Sequence, residues 1–363
     1  MKKIKLNLGK RSYNIVIGHH IIKDIAKLVS PSVLNKPILV ITNKKVARVA
    51  GGKLLKALKA IGAEVHVKEV PDSERAKSFA TYSKITTELS RIGKKIKPTI
   101  IALGGGVVGD VAGFAASTYR RGIPYIQIPT TLLAQVDSSI GGKVAIDLKE
   151  AKNLVGSFYQ PRAVICDLSF LKTLPRKEII NGLAEIIKYG IIRDKALFKY
   201  IEKNLGKILN LSGKYLEYVV WKCALIKARV VEKDEFDSTG IRVILNFGHT
   251  FAHAIENVFK YSKKHTHGES VAVGMVLASD MAFDLGILSS EDFERIKNLV
   301  KRAGLPTALQ KADIGKLMKA IEYDKKFLSG TNRFVLPRRV GRVETVEGIP
   351  EILIETIFKR GGA

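Results

Sequence analysis

The stretch "LNFGHTFAHAIE", residues 245–256, sets His249 and His253 four residues apart, so both imidazoles share one helix face. Zinc proteases use that spacing, yet Thr250 stands where such an enzyme carries its catalytic Glu. A histidine pair without that base suits a metal that polarises a substrate rather than one that drives hydrolysis. Other candidate donors lie nearby in sequence. In "NGLAEIIKYGII", residues 181–192, Glu185 and Lys188 share a face of an otherwise apolar helix, either as a buried ion pair or as part of a site. In "KKHTHGES", His267 opens another helix, with His265 as an alternative donor. One carboxylate oxygen and two imidazole nitrogens make a three-ligand set with positions left open for substrate, the pattern of catalytic zinc.

A second group of residues suits a dinucleotide. "TIIALGGGVVGD", residues 99–110, runs from a β-rich segment through Gly104, Gly105, Gly106 and Gly109 into a helical pattern. Such a turn lets the backbone approach a pyrophosphate and offers it the first amides of a helix. The fingerprint is half met, because the turn follows about the fifth strand and no acidic residue closes a strand some twenty residues on. Downstream, Thr130 and Thr131, Asp137, Lys143 after a Gly-Gly pair, and Lys152 with Asn153 add hydroxyl, carboxylate and cationic partners for anions and ribose.

The elements that must hold these residues alternate. Strand candidates are Ile4–Leu8, Tyr13–Ile17, Pro37–Ile41, Glu64–Lys68, Thr99–Leu103, Tyr125–Ile128 and Ala163–Cys166, with amphipathic helical segments between them, as a parallel α/β sheet requires. Beyond Thr173–Pro175 the periodicity is helical until "NRFVLP". The expected organisation is therefore an α/β Rossmann-like nucleotide-binding domain over residues 1–172 and a mainly α-helical domain over 173–363. The 363 residues are enough for two hydrophobic cores. Two cysteines, Cys166 and Cys223, offer neither a disulfide framework nor metal-type spacing. The N-terminus alternates like a strand, without the apolar run of a signal peptide, and no apolar stretch reaches membrane-spanning length, so a cytoplasmic protein is expected. The net charge of +27 comes from lysines spread along the whole chain, without a nucleic-acid-binding motif; it reads as a Lys-rich surface of the kind seen in heat-adapted proteins, whose local excess of cations can also draw in an anionic substrate.

Taken together, "GGGVVGD", "RGIPYIQIPTTLLAQVDSSIGGK", "KNLVGSFYQP", "TLPRKEIINGLAEIIKYG", "NFGHTFAHAIE", "HGESVAVGM" and "DKK" before "RFVLP" closely resemble the 3-dehydroquinate synthase family, over roughly residues 70 to 340. The resemblance implies an NAD-binding α/β domain, a helical metal-binding domain and an active site in the cleft between them. It implies metal ligation by Glu185, His249 and His267, with zinc as the expected ion and cobalt as a replacement. Asp137, Lys143, Asn153, Lys188, Lys227, Arg242, Asn246, His253 and Lys325, or its neighbour Lys326, fall on substrate-pocket positions. Of these, His253, Lys143, Lys188, Asn153 and Asp137 carry the catalytic expectation, with His253 as the proton shuttle. NAD contacts are expected from Asn43, Glu74, Lys77, Gly104, Gly105, Gly106, Asp110, Thr130, Thr131, Asp137, Lys143, Lys152 and Thr173. After the strand at 37–41 the chain has Thr42 and Asn43 where many relatives carry an Asp. Arg121 matches an arginine that reaches the substrate phosphate from a neighbouring subunit, which implies a homodimer. The implied substrate is 3-deoxy-D-arabino-heptulosonate 7-phosphate. A sedoheptulose 7-phosphate cyclase or an amino-dehydroquinate synthase would share most of this pocket.

Overall fold

The computed structural model describes residues 1–148, 151–259, 265–323 and 331–362. The chain folds as two compact units, Met1–Pro175 with Leu216–Phe236, and Arg176–Tyr215 with Asp237–Ala363. The first of these segments ends at Pro175. Residues 216–236 are grouped with the first unit. Asn7 donates from its backbone to Glu232, and Arg11 pairs with Glu235, so the far half of the helix Gly213–Lys233 and the turn after it are tied to the N-terminal strands.

Among the described residues the first unit holds nine strands, β1 (Lys2–Leu6), β2 (Tyr13–Gly18), β3 (Ile38–Thr42), β4 (Val65–Glu69), β5 (Thr99–Gly104), β6 (Tyr125–Pro129), β7 (Lys143–Ile146), β8 (Val155–Phe158) and β9 (Ala163–Asp167). Seven of them form one sheet in the order β1-β2-β9-β6-β5-β3-β4, parallel throughout except for the β1–β2 pair. The seven expected strands are these seven, each within about two residues. Alternate residues feed two cores, because successive side chains leave opposite faces of a strand. Ile38, Val40, Ile101, Leu103, Ile126 and Ile128 pack with Leu54 and Leu58 on one face; Leu39, Ile41, Ile100, Ala102 and Tyr125 pack with Ile85, Leu89, Val111 and Ala115 on the other. Cover on both faces explains why the inner strands β3, β5, β6 and β9 read as mostly apolar runs, while the edge strands β1 and β4 do not. From β3 the chain passes outward to β4 and then returns to the opposite side of β3 as β5. The strand order reverses there, and such a switch point opens a crevice at the carboxyl ends of the strands.

The second unit is helical, with Arg176–Arg193, Lys195–Leu209, His249–Val258, His267–Asp284, Ser290–Arg302, Ile314–Tyr323 and Glu351–Gly361, and one antiparallel hairpin of β10 (Arg333–Arg339) and β11 (Arg342–Glu347). The helix Arg176–Arg193 is buried along almost its whole length, Ile179 through Ile192, so every group it carries inward must find a partner inside the protein. Among the described residues no helix is long and apolar enough to cross a membrane.

Candidate metal centre and dinucleotide crevice

Three elements of the second unit converge on one point. Glu185, wholly buried in mid-helix, lies with its Oε1 3.4 Å from His249 Nε2 and 3.4 Å from His267 Nε2. One ligand atom from each of the three falls within 4.8 Å of the others. Both histidines open their helices. His249 follows Gly248, whose φ of +77° suits glycine, and His267 follows the N-cap Thr266, which exchanges hydrogen bonds with Glu269 in a capping box. The two helices come close because Gly274 has no side chain; a Cβ there would sit 2.1 Å from the Gly248 carbonyl oxygen. Gly268 rests as tightly on Asn181, whose Oδ1 accepts from the Gly268 amide at 2.6 Å, which locks the start of the His267 helix onto the helix of Glu185.

The outer nitrogens are occupied. His249 Nδ1 donates to the Phe247 carbonyl at 3.1 Å, and His267 Nδ1 contacts Glu256 Oε1 at 3.0 Å. Each Nε2 therefore faces Glu185 and, once it carries no proton, can offer its lone pair, the arrangement that orients imidazoles toward a metal. A donor set of one carboxylate and two imidazoles, each braced from behind, fits a divalent transition metal. Lys188, 2% exposed, pairs with Glu185. Burial and the Lys188 ammonium push the His249 pKa down to about 4, against the pull of Glu185. For His267 burial works in the same downward direction, but two carboxylates, Glu185 and Glu256, overcome it and raise the pKa to about 10. Burial opposes ionisation of Glu185 too, and Lys188 with the two imidazoles outweighs it, holding the carboxyl well below its usual range. The ring of His253 stands edge-on to that of His249 at 5.7 Å between centroids. The structure gives His265 a different place, with Nε2 3.1 Å from Gln310 Oε1 and its ring stacked on Phe259. Arg242, buried, and Asn246, half-buried, lie on the turn Ile241–Asn246 that leads into the His249 helix.

In the first unit the glycine-rich turn lies at the end of β5, at the switch point beside β3. A Cβ at Gly104 would meet Val108 at 2.6 Å, one at Gly105 would meet Thr131 at 3.1 Å, and one at Gly106 would meet Ser138 at 3.0 Å. Among the described residues no side chain caps the helix Gly106–Thr118, so its first amides remain available to an anion. Thr130 donates from its backbone to the Gly104 carbonyl at 2.9 Å, which ties the ends of β6 and β5 together. A backbone cradle without Cβ atoms at an uncapped helix start fits a pyrophosphate.

Beside it Lys77, 4% exposed, is the hub of a charged cluster: 2.8 Å from Asp110, 3.6 Å from Glu74, 3.8 Å from Asp147, and hydrogen-bonded to Asn153. Lys152 reaches Glu74 at 3.5 Å. Asn153 is held in a left-handed conformation, φ +56°, by a backbone bond to Asp147 at 2.9 Å. Separately, Lys227 Nζ is 2.9 Å from Asp137 Oδ1 and 2.8 Å from the Asp137 carbonyl oxygen. Lys143, on β7, lies over the Phe158 ring at 5.8 Å. Thr173 turns its hydroxyl onto the Phe170 carbonyl at 2.7 Å, Arg121 is exposed in the left-handed region at φ +60°, and Asn43 donates to Asp72 at 2.9 Å. Lys325 and Lys326 lie outside the described residues.

Three contributors were not singled out from the sequence: Glu256, Asp147 and Asp72. Glu256 had a readable signal, since it follows His249 by seven positions and His253 by three and so shares their helix face.

Residues 67–181 match the family model of the 3-dehydroquinate synthase N-terminal domain, and residues 182–327 that of its C-terminal domain. A 3-dehydroquinate synthase of Desulforamulus reducens is 45% identical over 99% of this chain and its own full length. Among solved structures, a 2-deoxy-scyllo-inosose synthase complexed with carbaglucose-6-phosphate, NAD+ and Co2+ superposes with a TM-score of 0.90 at 26% identity, covering 99% of this chain and all of its own. A 2-epi-5-epi-valiolone synthase from Streptomyces hygroscopicus, with NAD+ and Zn2+ bound, gives 0.88 at 25%, covering 98% of each chain. Fold and site thus define an enzyme of the sugar phosphate cyclase class. Within that class, the chain belongs to the 3-dehydroquinate synthase family.

Proposed function

We propose that this chain converts 3-deoxy-D-arabino-heptulosonate 7-phosphate to 3-dehydroquinate and phosphate, with NAD and a divalent metal, zinc in preference to cobalt. The observation that carries the reading is the convergence of Glu185, His249 and His267, each imidazole braced through Nδ1. Two further observations support it: relatives above 40% identity along the whole chain bear the 3-dehydroquinate synthase name, and solved neighbours hold NAD+ together with Co2+ or Zn2+.

When bound, NAD supplies a reversible hydride acceptor at the C5 carbon and the metal supplies Lewis-acid polarisation of the substrate hydroxyls. Glu185, His249 and His267 would hold the metal, and Gly104, Gly105 and Gly106 with the following helix start would hold the pyrophosphate of the dinucleotide. His253, exposed beside His249, takes the proton of the C5 hydroxyl as it is oxidised. The ketone so formed acidifies the neighbouring C6 proton, and phosphate leaves by β-elimination, its own oxygen serving as base. Re-reduction, ring opening and an intramolecular aldol closure complete the ring. Arg242 binds the substrate carboxylate; Lys143, Asn153, Lys188, Lys227 and Asn246 orient the hydroxyls and the phosphate. Arg121 completes the phosphate site of a partner subunit in a homodimer.

The test is inorganic phosphate release by metal-loaded protein with NAD. The expected result is release from 3-deoxy-D-arabino-heptulosonate 7-phosphate, lost when NAD or metal is omitted, with no net NADH. Release from sedoheptulose 7-phosphate instead would remove the carboxylate role given to Arg242.

A further inference from the structure

The chain leaves the helix Gly106–Thr118 through a strained turn. Arg120, Arg121 and Gly122 follow one another at φ +48°, +60° and +114°. Glycine takes such angles freely, but a residue with a Cβ is disfavoured there, and two arginines in succession keep them only where the surroundings over-determine the backbone. Here the Gly122 amide donates to the Tyr119 carbonyl and the Ile123 amide to the Ala116 carbonyl, both at 2.9 Å. The Tyr159 hydroxyl donates to the Ile123 carbonyl at 2.8 Å, and a Cβ at Gly122 would meet that hydroxyl at 3.0 Å. Lys97, from the segment just before β5, spans the turn itself: its ammonium donates to the Arg120 carbonyl and to the Gly122 carbonyl, each at 3.2 Å. Both acceptors flank Arg121, whose own side chain is exposed and makes no hydrogen bond or ion pair among the described residues. The backbone alone therefore sets the direction in which that guanidinium leaves the chain.

We infer that Lys97 is a positioning residue for Arg121: by clamping the two flanking carbonyls it holds the turn in its left-handed form, so that the guanidinium meets a substrate phosphate preformed. The inference rests on the reading that gives Arg121 the phosphate of a partner subunit's substrate. Lys97 touches no substrate and acts through Arg121 alone. Without the clamp the turn relaxes, and the arm is correctly placed in only a fraction of molecules. Apparent affinity for the phosphate-bearing substrate falls by that fraction. The phosphate is held in the ground state and the transition state alike, so KM rises while kcat stays. A merely structural loss does the opposite, leaving fewer active molecules and hence a lower kcat at an unchanged KM.

Steady-state phosphate release by the full-length protein, loaded with metal and NAD, tests this. Lys97→Met keeps the apolar stem and loses the donors. It is expected to raise the KM for 3-deoxy-D-arabino-heptulosonate 7-phosphate about tenfold, with kcat within about twofold of wild type. Lys97→Arg, whose guanidinium can also donate to two carbonyls, should restore a KM within about twofold of wild type. Arg121→Ala should itself raise KM by about tenfold or more, and in that background Lys97→Met should add nothing, because the group it positions is gone. A Lys97→Met variant with the wild-type KM overturns the inference, whatever its kcat. So does a rise in KM that persists undiminished in the Arg121→Ala background. Arg121→Ala with the wild-type KM overturns the phosphate role of Arg121 beneath it, and a wild type that releases no phosphate overturns the proposed reaction itself.

Discussion

Loading metal onto the metal-free protein should displace one proton, and the reason lies in the unequal environments of two chemically identical ligands. His249 has a pKa of about 4 and His267 one of about 10. Between pH 5 and 8 His249 is already neutral and gives up nothing, while His267 is an imidazolium and must lose its proton before Nε2 can coordinate. Metal affinity is therefore lost as pH falls, by about tenfold per unit across this window, with a slope of one. Two imidazoles of ordinary pKa near 6.5 behave differently: together they release nearly two protons at pH 5.5 and about one at pH 6.5. The assay is calorimetric titration with zinc at both pH values in buffers of different ionisation enthalpy, where the dependence of heat on buffer gives the proton count. At pH 5.5, the point that separates the two cases, ionisation of zinc-held water near pH 7 adds only about 0.03 of a proton. About one proton is expected at pH 5.5, and about one plus roughly a quarter from zinc-held water at pH 6.5. Nearly two at pH 5.5 would refute the argument that Lys188 and burial keep His249 neutral while Glu185 and Glu256 keep His267 charged.

Three further outcomes follow from the same geometry. His249→Ala should lose its bound metal by elemental analysis yet bind NAD in calorimetry like wild type; an unchanged metal content would remove His249 from the ligand set. Lys188→Met strips the buried Glu185 of its cation, so the metal-free variant should be less stable in urea by about 3 kcal/mol or more, and equal stability would mean that the pair is not a buried ion pair. Gly274→Ala forces a methyl group to within 2.1 Å of the Gly248 carbonyl, so the helices of His249 and His267 must separate; a loss of about 1–3 kcal/mol and a lower metal stoichiometry are expected, and a variant with wild-type metal binding would show that the close approach is not needed.

The parallel sheet was legible because its inner strands β3, β5, β6 and β9 are buried along their whole length, which leaves mostly apolar runs in the sequence. The expected Pro37–Ile41 against the observed Ile38–Thr42 is typical of the agreement. The short hairpin of β7 and β8 was not legible. Four residues opening on Lys143 and four containing Gly156 carry neither a run nor an alternation. Periodicity also identified helix in the region of Gly213–Lys233 but could not say which core it joins, since the contacts that decide it, such as Asn7 with Glu232 and Lys227 with Asp137, span 225 and 90 residues. At the candidate site, residue types and spacing pointed to donors, while the groups that brace them stayed hidden. Nothing in the string "KVAIDL" reveals that Asp147 fixes the backbone of Asn153 across six residues.

Those bracing groups follow one physical rule in both units. A buried charge is tolerated only where further charges or hydrogen bonds compensate it, so each functional ion draws in partners that also fix its position. Lys77 cannot be buried to 4% exposure without carboxylates around it, and the ones it finds, Glu74, Asp110 and Asp147, come from separate segments. Satisfying one ammonium therefore gathers the helix after β5, the loop after β7 and the turn at Glu74 around the glycine cradle. Glu185 plays the same part in the helical unit, where its carboxylate draws Lys188 from its own helix and an imidazole from each of two others. Substitutions at such hubs should release whole segments rather than single contacts, which distinguishes them from a substitution at the exposed His253, expected to leave the scaffold standing.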